Sequence, residues 1–304
     1  MRPILALSPL APSVLALSLA LVAAPALAQR DFSRVEIKAT EVTAGVYMLE
    51  GAGGNIGLSV GADGAFVIDD QFAPLSDKIM AAIKAIDARP VEFVLNTHWH
   101  GDHTGGNEAF GAAGAHIVAH DNVRKRLKEG LKRETSETPP APEGALPVVT
   151  FSDQVSFYWN GRDIRVIHLN DAHTDGDAII HFRDANVIHT GDIYFNTGGY
   201  PYVDLQSGGT FDGLIAAQEA ILALCDDKTA IIPGHGALAS KATLAANIAM
   251  LKDVRARIAV LITQGLTEDQ VVKADPLKDL SETWGKGFIN GEALTRTVYK
   301  SLKR

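Results

Sequence analysis

Cysteine is almost absent from this 304-residue chain. Cys225 stands alone, which excludes an internal disulfide framework and every cysteine-cluster metal site. Positive charge is also scarce. Lys and Arg number 28 against 36 Asp and Glu, leaving a formal charge of −8, a balance that argues against nucleic acid or an anionic membrane surface as the main partner. Past residue 28, no apolar run approaches the length of a bilayer span. Charged residues make up only 21% and hydrophobic ones 46%, so wholesale disorder is excluded and a sizeable core can be buried. What the chain does have is histidine, ten in all.

Residues 1–28 read as a secretory signal peptide. Arg2 supplies the positive start, Val14–Ala24 is an apolar run broken only by Ser18, and Pro25-Ala26-Leu27-Ala28 is a small-x-small cleavage signal before Gln29. The run is too short to serve as a transmembrane anchor. Residues 29–304 are therefore expected to form one domain, exported to a bacterial periplasm and free of the membrane once the leader is cleaved.

Val35–Glu41, Gly45–Glu50, Ile56–Val60 and Ala65–Asp69 are short, β-rich and separated by Gly-containing turns such as Gly61-Ala62-Asp63-Gly64, which predicts an antiparallel run. Leu75–Ala88 follows with Ile79, Met80, Ile83 and Ile86 on one helical face. Val91–Leu95 reads as a buried strand. Further strands are predicted over Ile117–Ala119, Val148–Phe151, Ile164–Leu169, Ala178–Phe182, Val187–Thr190 and Ala230–Ile232, and helices over Asp121–Gly130 and Thr210–Leu224. Leu244, Ile248, Leu251, Ile258 and Leu261 share one face of a long helix stopped by Gly265, and Thr267 to Gln270 has capping-box spacing. Ser136–Pro147, with four prolines, reads as a surface loop. Two successive β-then-α blocks suggest an α/β fold in which helices sandwich sheets.

The chemistry lies in four separated pieces. Thr97-His98-Trp99-His100-Gly101-Asp102-His103 directly follows the strand Val91–Leu95. Imidazole and carboxylate without thiolate suit zinc, and also iron or manganese. The other pieces are Ala172-His173-Thr174-Asp175-Gly176-Asp177, Thr190-Gly191-Asp192 and Pro233-Gly234-His235-Gly236. Each puts a potential ligand at a strand end in a Gly-containing turn. Together they are what a binuclear site at one edge of a sheet sandwich needs.

His-x-His-x-Asp-His, then Ala-His-Thr, Gly-Asp and Pro-Gly-His in that order resembles the metallo-β-lactamase superfamily, as does the apolar strand Phe66-Val67-Ile68-Asp69. The resemblance covers roughly Val35 to Ser240 and implies a single-domain αββα four-layer sandwich with two Zn2+ ions in a groove at one edge. It implies that His98, His100 and His173 hold the first zinc and Asp102, His103 and His235 the second. Asp192 resembles the aspartate that bridges the two metals in glyoxalase II-like and lactonase-like members, and Asp69 would orient a ligand histidine. It further implies a metal-bound hydroxide attacking a small carbonyl substrate, with Asp102 as the catalytic carboxylate that also accepts a hydrogen bond from the nucleophile. The remaining histidines receive structural roles: His168, His181 and His189 in strands, His116 and His120 at the surface or at a helix entry. Cys225 is expected to be a small packed residue. Asp175 and Asp177 are expected to shape the His173 turn, while Tyr194, Asn196, Tyr200 and Tyr202 are divided between lining the groove and packing.

Departures from the lactamases narrow the expected substrate. Asp192 stands where the secreted class with three first-zinc histidines has cysteine. Leu49–Ile56 is too short for their apolar flap, and Ile193–Ser207 contains no basic residue to anchor a β-lactam carboxylate. Against a glyoxalase II-like thioesterase stand the export signal and the lack of a basic cluster after Leu244. Gly198-Gly199-Tyr200-Pro201-Tyr202-Val203-Asp204 resembles exported metallo-hydrolases of sulfur-oxidation and quinoprotein gene clusters. The expected function is periplasmic dinuclear zinc hydrolysis of a cyclic amide, lactone or ester, with weak or promiscuous β-lactamase activity. A glyoxalase II-like thioesterase and an iron-dependent redox member are the alternatives; acidic charge and export oppose RNA-processing members.

Overall fold

The computed structural model describes residues 31–133 and 136–304; the leader expected at 1–28 lies outside the described residues. The first block of chain builds one sheet. Strands β1 (Lys38–Thr43), β2 (Val46–Glu50), β3 (Ile56–Ser59) and β4 (Ala65–Ile68) run antiparallel in sequence order. After helix α1 (Ser76–Ile86), β5 (Val91–Leu95) joins β4 in parallel. Two short helices, α2 (Gly101–Thr104) and α3 (Asn107–Ala112), lead to β6 (His116–His120), parallel to β5. Then come α4 (Asp121–Glu129), a hairpin of β7 (Leu131–Lys132) with β8 (Glu137–Thr138), and β9 (Val149–Phe151), which completes the sheet beside β6.

The second block repeats the plan. β10 (Gln154–Trp159), β11 (Arg162–His168), β12 (Ala178–Phe182) and β13 (Val187–His189) form an antiparallel run. The chain leaves the sheet through the short strand β14 (Phe195–Asn196) and helix α5 (Phe211–Leu224) and returns as β15 (Ala230–Ile232), parallel to β13. β16 (His235–Gly236) pairs with β14, and β17 (Ala239–Ser240) closes the sheet edge. Four helices finish the chain: α6 (Lys241–Thr263), α7 (Glu268–Ala274), α8 (Lys278–Trp284) and α9 (Gly291–Leu302).

Strand periodicity assigns the layers, because successive side chains leave opposite faces of a sheet. In β4, Phe66 and Ile68 face the space between the sheets, where they join Leu95, Val118, Val166 and Ile180. Ala65 and Val67 face outward against Ile79 and Ile83 of α1. On the other sheet, Ile179, Ile188 and Ile231 pack beneath α5, α6 and α9 through Leu214, Leu251, Val254 and Leu294. The order helix, sheet, sheet, helix is the expected αββα sandwich.

Several elements lie outside the sequence-based expectation. β10 is an added strand with a strict alternation: Val155, Phe157 and Trp159 pack inward while Gln154, Ser156 and Tyr158 are exposed. The polar stretch after β5 is helical rather than loop, since the His103 and Thr104 amides close a turn on the His100 carbonyl. Ser136–Pro147 is not merely a surface loop. It contributes β8, and its Leu146 is buried against Trp99, Val123 and Leu127. At the C-terminus α9 is capped by the Asn290 side chain and buries Leu294 and Val298.

Candidate metal centre

The C-terminal ends of β4, β5, β13 and β15 open at one edge of the sandwich, and each is followed by a residue expected at the site. Asp69 follows Ile68, the His98–His103 segment follows Leu95, Asp192 follows His189, and His235 follows Ile232. His173 arrives on the turn between β11 and β12.

All seven expected ligands meet in two adjoining groups, one of His98, His100, His173 and Asp192, the other of Asp102, His103 and His235. In the first, His100 Nδ1 lies 3.1 Å from His98 Nε2 and 2.9 Å from His173 Nε2. Asp192 Oδ2 is 3.6 Å from His98 Nε2 and 3.5 Å from His173 Nε2. In the second, His235 Nε2 lies 3.4 Å from His103 Nε2 and 3.3 Å from Asp102 Oδ2. Here the other aspartate oxygen takes part: Asp192 Oδ1 is 3.1 Å from His103 Nε2 and 3.4 Å from His235 Nε2. Tetrahedral donors each about 2.0–2.2 Å from a zinc ion stand about 3.3–3.6 Å apart, close to the separations in both groups.

The outer ring nitrogens explain why the inner ones converge. Thr97 Oγ1 donates to Asp69 Oδ2 at 2.7 Å and so accepts from His98 Nδ1–H at 3.0 Å. His173 Nδ1–H donates to the Tyr202 carbonyl at 2.8 Å, His103 Nδ1–H to Asp69 Oδ2 at 2.7 Å, and His100 Nε2–H to Asp204 Oδ2 at 3.0 Å. Each bond fixes a tautomer and aims the opposite nitrogen's lone pair inward. Lone pairs gathered at about 3 Å repel unless a cation or proton lies between them. Asp192 Oδ1, buried and without an aligned hydrogen-bond donor, completes a donor set that fits two divalent metal ions.

The charges agree. Burial, reinforced by the neighbouring histidines, holds His98 well below the ordinary imidazole range, and burial brings His173 down to about 4; both are neutral and ready to ligate. Burial opposes protonation at His103 and His235 too, but there carboxylates outweigh it. Asp192, Asp69 and Asp102 raise His103 well above its usual value, and Asp192 and Asp102 hold His235 at about 9. Burial would raise Asp102, yet His103 and His235 bring it to about 2, and the same kind of surroundings keep Asp192 ionised.

Asp69 bonds both to His103 and to Thr97 beside His98. Its Oδ1 accepts from the Thr97 amide at 2.7 Å while its Oδ2 serves Thr97 and His103. It is fully buried and sits in the left-handed region at φ 61°, a conformation that a non-glycine residue holds only when its surroundings compensate. Asp177 shapes the His173 turn by accepting from the His173 and Thr174 amides, whereas Asp175 turns away to pair with Arg126. His189 donates Nε2–H to the Asn55 carbonyl and accepts from the Gly191 amide at Nδ1, His120 caps α4 and stacks on His168, and Cys225 is buried. Tyr194 belongs to the core and Asn196 braces β16, while Tyr200 and Tyr202 line the groove.

Asp204 and Arg133 are the residues that sequence reasoning missed. Asp204 is nearly buried and its Oδ2 accepts from His100, from Ser207 Oγ at 2.6 Å and from Arg133 Nη2 at 2.6 Å. Burial raises this carboxyl, but His100, Ser207 and Arg133 hold it well below its ordinary value. No spacing rule links it to His100, 104 residues earlier; the one local clue is a lone acid in a Gly- and Tyr-rich loop. Arg133 supplies the cation absent from Ile193–Ser207, but its charge is engaged by Asp204. The groove itself measures about 760 Å³ and is lined by His100, Asp102, Asp192 and His235 at its floor and by Phe72, Phe195, Tyr202, Phe288 and Ile289 around them.

An αββα sandwich with paired His/Asp groups at one edge defines a class of metal-dependent hydrolase folds. Residues 50–235, more than half of the chain, match the metallo-beta-lactamase superfamily; the chain belongs to this family. It is 27% identical over 168 residues to a hydroxyacylglutathione hydrolase from Polaromonas sp., covering 53% of this chain and 55% of that protein. It is 32% identical over 152 residues to another from Nitrosococcus oceani, with 47% of each covered. The chain thus spans about half the length of these curated relatives. In fold it is similar to a metallo-beta-lactamase from Pontibacter korlensis, with TM-score 0.59 and 17% identity over 72% of this chain and all of that one. It is also similar to the stereoselective inverting sec-alkylsulfatase Pisa1 from Pseudomonas sp., with TM-score 0.66 and 16% identity over 87% of this chain and 50% of that one.

Proposed function

We propose that this protein is a dinuclear zinc hydrolase that opens a lactone, ester or cyclic amide and works in the periplasm. The observation that carries the reading is Asp192, whose two oxygens face one histidine group each. His98, His100 and His173 with Asp192 Oδ2 would hold one ion, and Asp102, His103 and His235 with Asp192 Oδ1 the other. Two such ions, when bound, supply Lewis acidity for a carbonyl and for the departing anion, and lower the pKa of a water toward about 7.

The chain's own residues do the rest. Thr97, Asp69, Asp204 and the Tyr202 carbonyl hold four imidazoles in the tautomers that leave inward lone pairs free. Asp102, partly exposed to the groove and held at about 2, is too weak a base to store a proton at neutral pH. It stays ionised and orients the attacking water by accepting its hydrogen bond. The apolar side chains of the groove wall lower the polarity around the scissile bond, which strengthens these interactions. The leader-like pattern of residues 1–28 supports export.

The test is metal content followed by turnover on the same sample. About two zinc ions per chain and chelator-sensitive hydrolysis of a neutral lactone or ester are expected. A single iron, or no turnover of lactone, ester, nitrocefin or thioester, would sink the assignment. Similarity to hydroxyacylglutathione hydrolases favours a second reading, thioester hydrolysis. The same panel separates the two by whether S-lactoylglutathione outperforms neutral lactones.

A further inference from the structure

The turn between α8 and α9 lies beyond residue 235, where the family match ends, and it closes one side of the groove. Its Phe288 is 91% exposed, the most exposed of the large apolar side chains among the described residues. It does not stand alone. Its ring meets Tyr202 at 6.3 Å, and Tyr202 meets His100 at 6.1 Å, so an aromatic path runs from the rim to the ligand cluster. Across the floor Phe195 stacks on His235 at 5.4 Å.

The turn is held over the site. The Tyr200 amide donates to the Trp284 carbonyl at 2.9 Å, and Gly199 and Gly287 pass so closely that a Cβ on Gly199 would lie 3.2 Å from the Gly287 Cα. Among the described residues only one Lys or Arg lines the groove, Arg133, and its guanidinium is bound to Asp204 beside the Trp99 ring. A substrate carboxylate finds no free cation among these side chains, whereas an alkyl or aryl group finds Phe72, Phe195, Tyr202, Phe288 and Ile289.

We propose that this rim receives an uncharged apolar substituent of the substrate and that Phe288 sets the preference for it. The inference rests on the hydrolase reading above and deepens it: the substrate class is a neutral lactone or ester with an alkyl or aryl arm.

The experiment measures kcat/KM of the zinc-loaded protein on lactones whose side chain lengthens from methyl to octyl, with a carboxylate-terminated octyl analogue alongside. Wild type is expected to gain about threefold per methylene, the worth of a partly buried CH2, and to disfavour the carboxylate. Phe288→Ser should flatten that slope, mainly through KM, losing at least fivefold more on the octyl than on the methyl lactone at full zinc content. Gly199→Ala, which displaces the turn without removing the ring, should shrink the octyl-to-methyl ratio as well. A flat wild-type slope, or preference for the carboxylate, overturns the inference. If no carbonyl substrate is turned over, the hydrolase reading has failed and the rim is judged by binding of neutral N-phenyl-1-naphthylamine. Binding weakened at least fivefold by Phe288→Ser upholds the apolar rim; no binding, or binding indifferent to that change, rejects it.

Discussion

At the scale of single residues, the site is built by groups that touch no substrate. Asp204 anchors His100 Nε2 and is itself held by Ser207 and Arg133. Outer partners of this kind keep a ligand ring in one tautomer and orientation, and losing one costs about 10–100-fold in metal affinity. Asp204→Asn removes the charge that holds the His100 proton and the Arg133 guanidinium. Its affinity for the first zinc should therefore fall by about 10–100-fold, read by competition with a chelator of known affinity, while the second ion is held near its wild-type strength. Equal weakening of both ions would mean that Asp204 supports the fold of the whole edge rather than His100.

At the scale of elements, strand ends and tight turns carry the ligands into contact. The turn after β15 passes so near Asp192 that a Cβ on Gly234 would lie 2.1 Å from Asp192 Oδ1. Gly234→Ala must push the shared carboxylate aside. Bound zinc is expected to drop below about one per chain, and the chelated protein should lose about 1–3 kcal/mol of stability in urea unfolding. The strands themselves were legible because short apolar runs ended by glycine turns are a local signal, as in Phe66-Val67-Ile68-Asp69 and Val91–Leu95. α2 was not, because it is a single turn that forms on the His100 carbonyl within a tertiary setting. β10 has a clear alternation but no glycine turn sets it off from β9, and α9 depends on burial against α5 and α6.

For the whole molecule, proton and metal compete for one cluster. With the ions removed, His235 titrates at about 9 and His103 well above its ordinary value. Because these folded values lie above the unfolded one, the protonated rings stabilise the ion-free protein fully below about pH 6.5. That contribution is lost as pH rises through about 9. The chelated protein should therefore melt at progressively lower temperature from about pH 6.5 upward, whereas the zinc-loaded protein should not. Zinc uptake at pH 7 should also release about two protons per chain, measurable by calorimetry in buffers of different ionisation enthalpy. A chelated protein whose melting temperature is flat across that range would contradict the charge arrangement described here.

The amino-acid sequence by itself determined the kind of ligand and its place on the chain. Histidines and aspartates in glycine turns after buried strands are a local pattern, and local patterns follow from backbone geometry and hydrophobic period. The potential ligands at the strand ends were readable for that reason, and the resemblance carried by those local motifs implied the set of seven and Asp69. Only the tertiary structure decided which nitrogen of each ring faces inward, that Asp204 and Arg133 brace His100, and that the turn bearing Phe288 forms the groove's rim. Those outcomes depend on packing between segments far apart in the chain, such as the 104 residues between His100 and Asp204, and no short-range spacing encodes them.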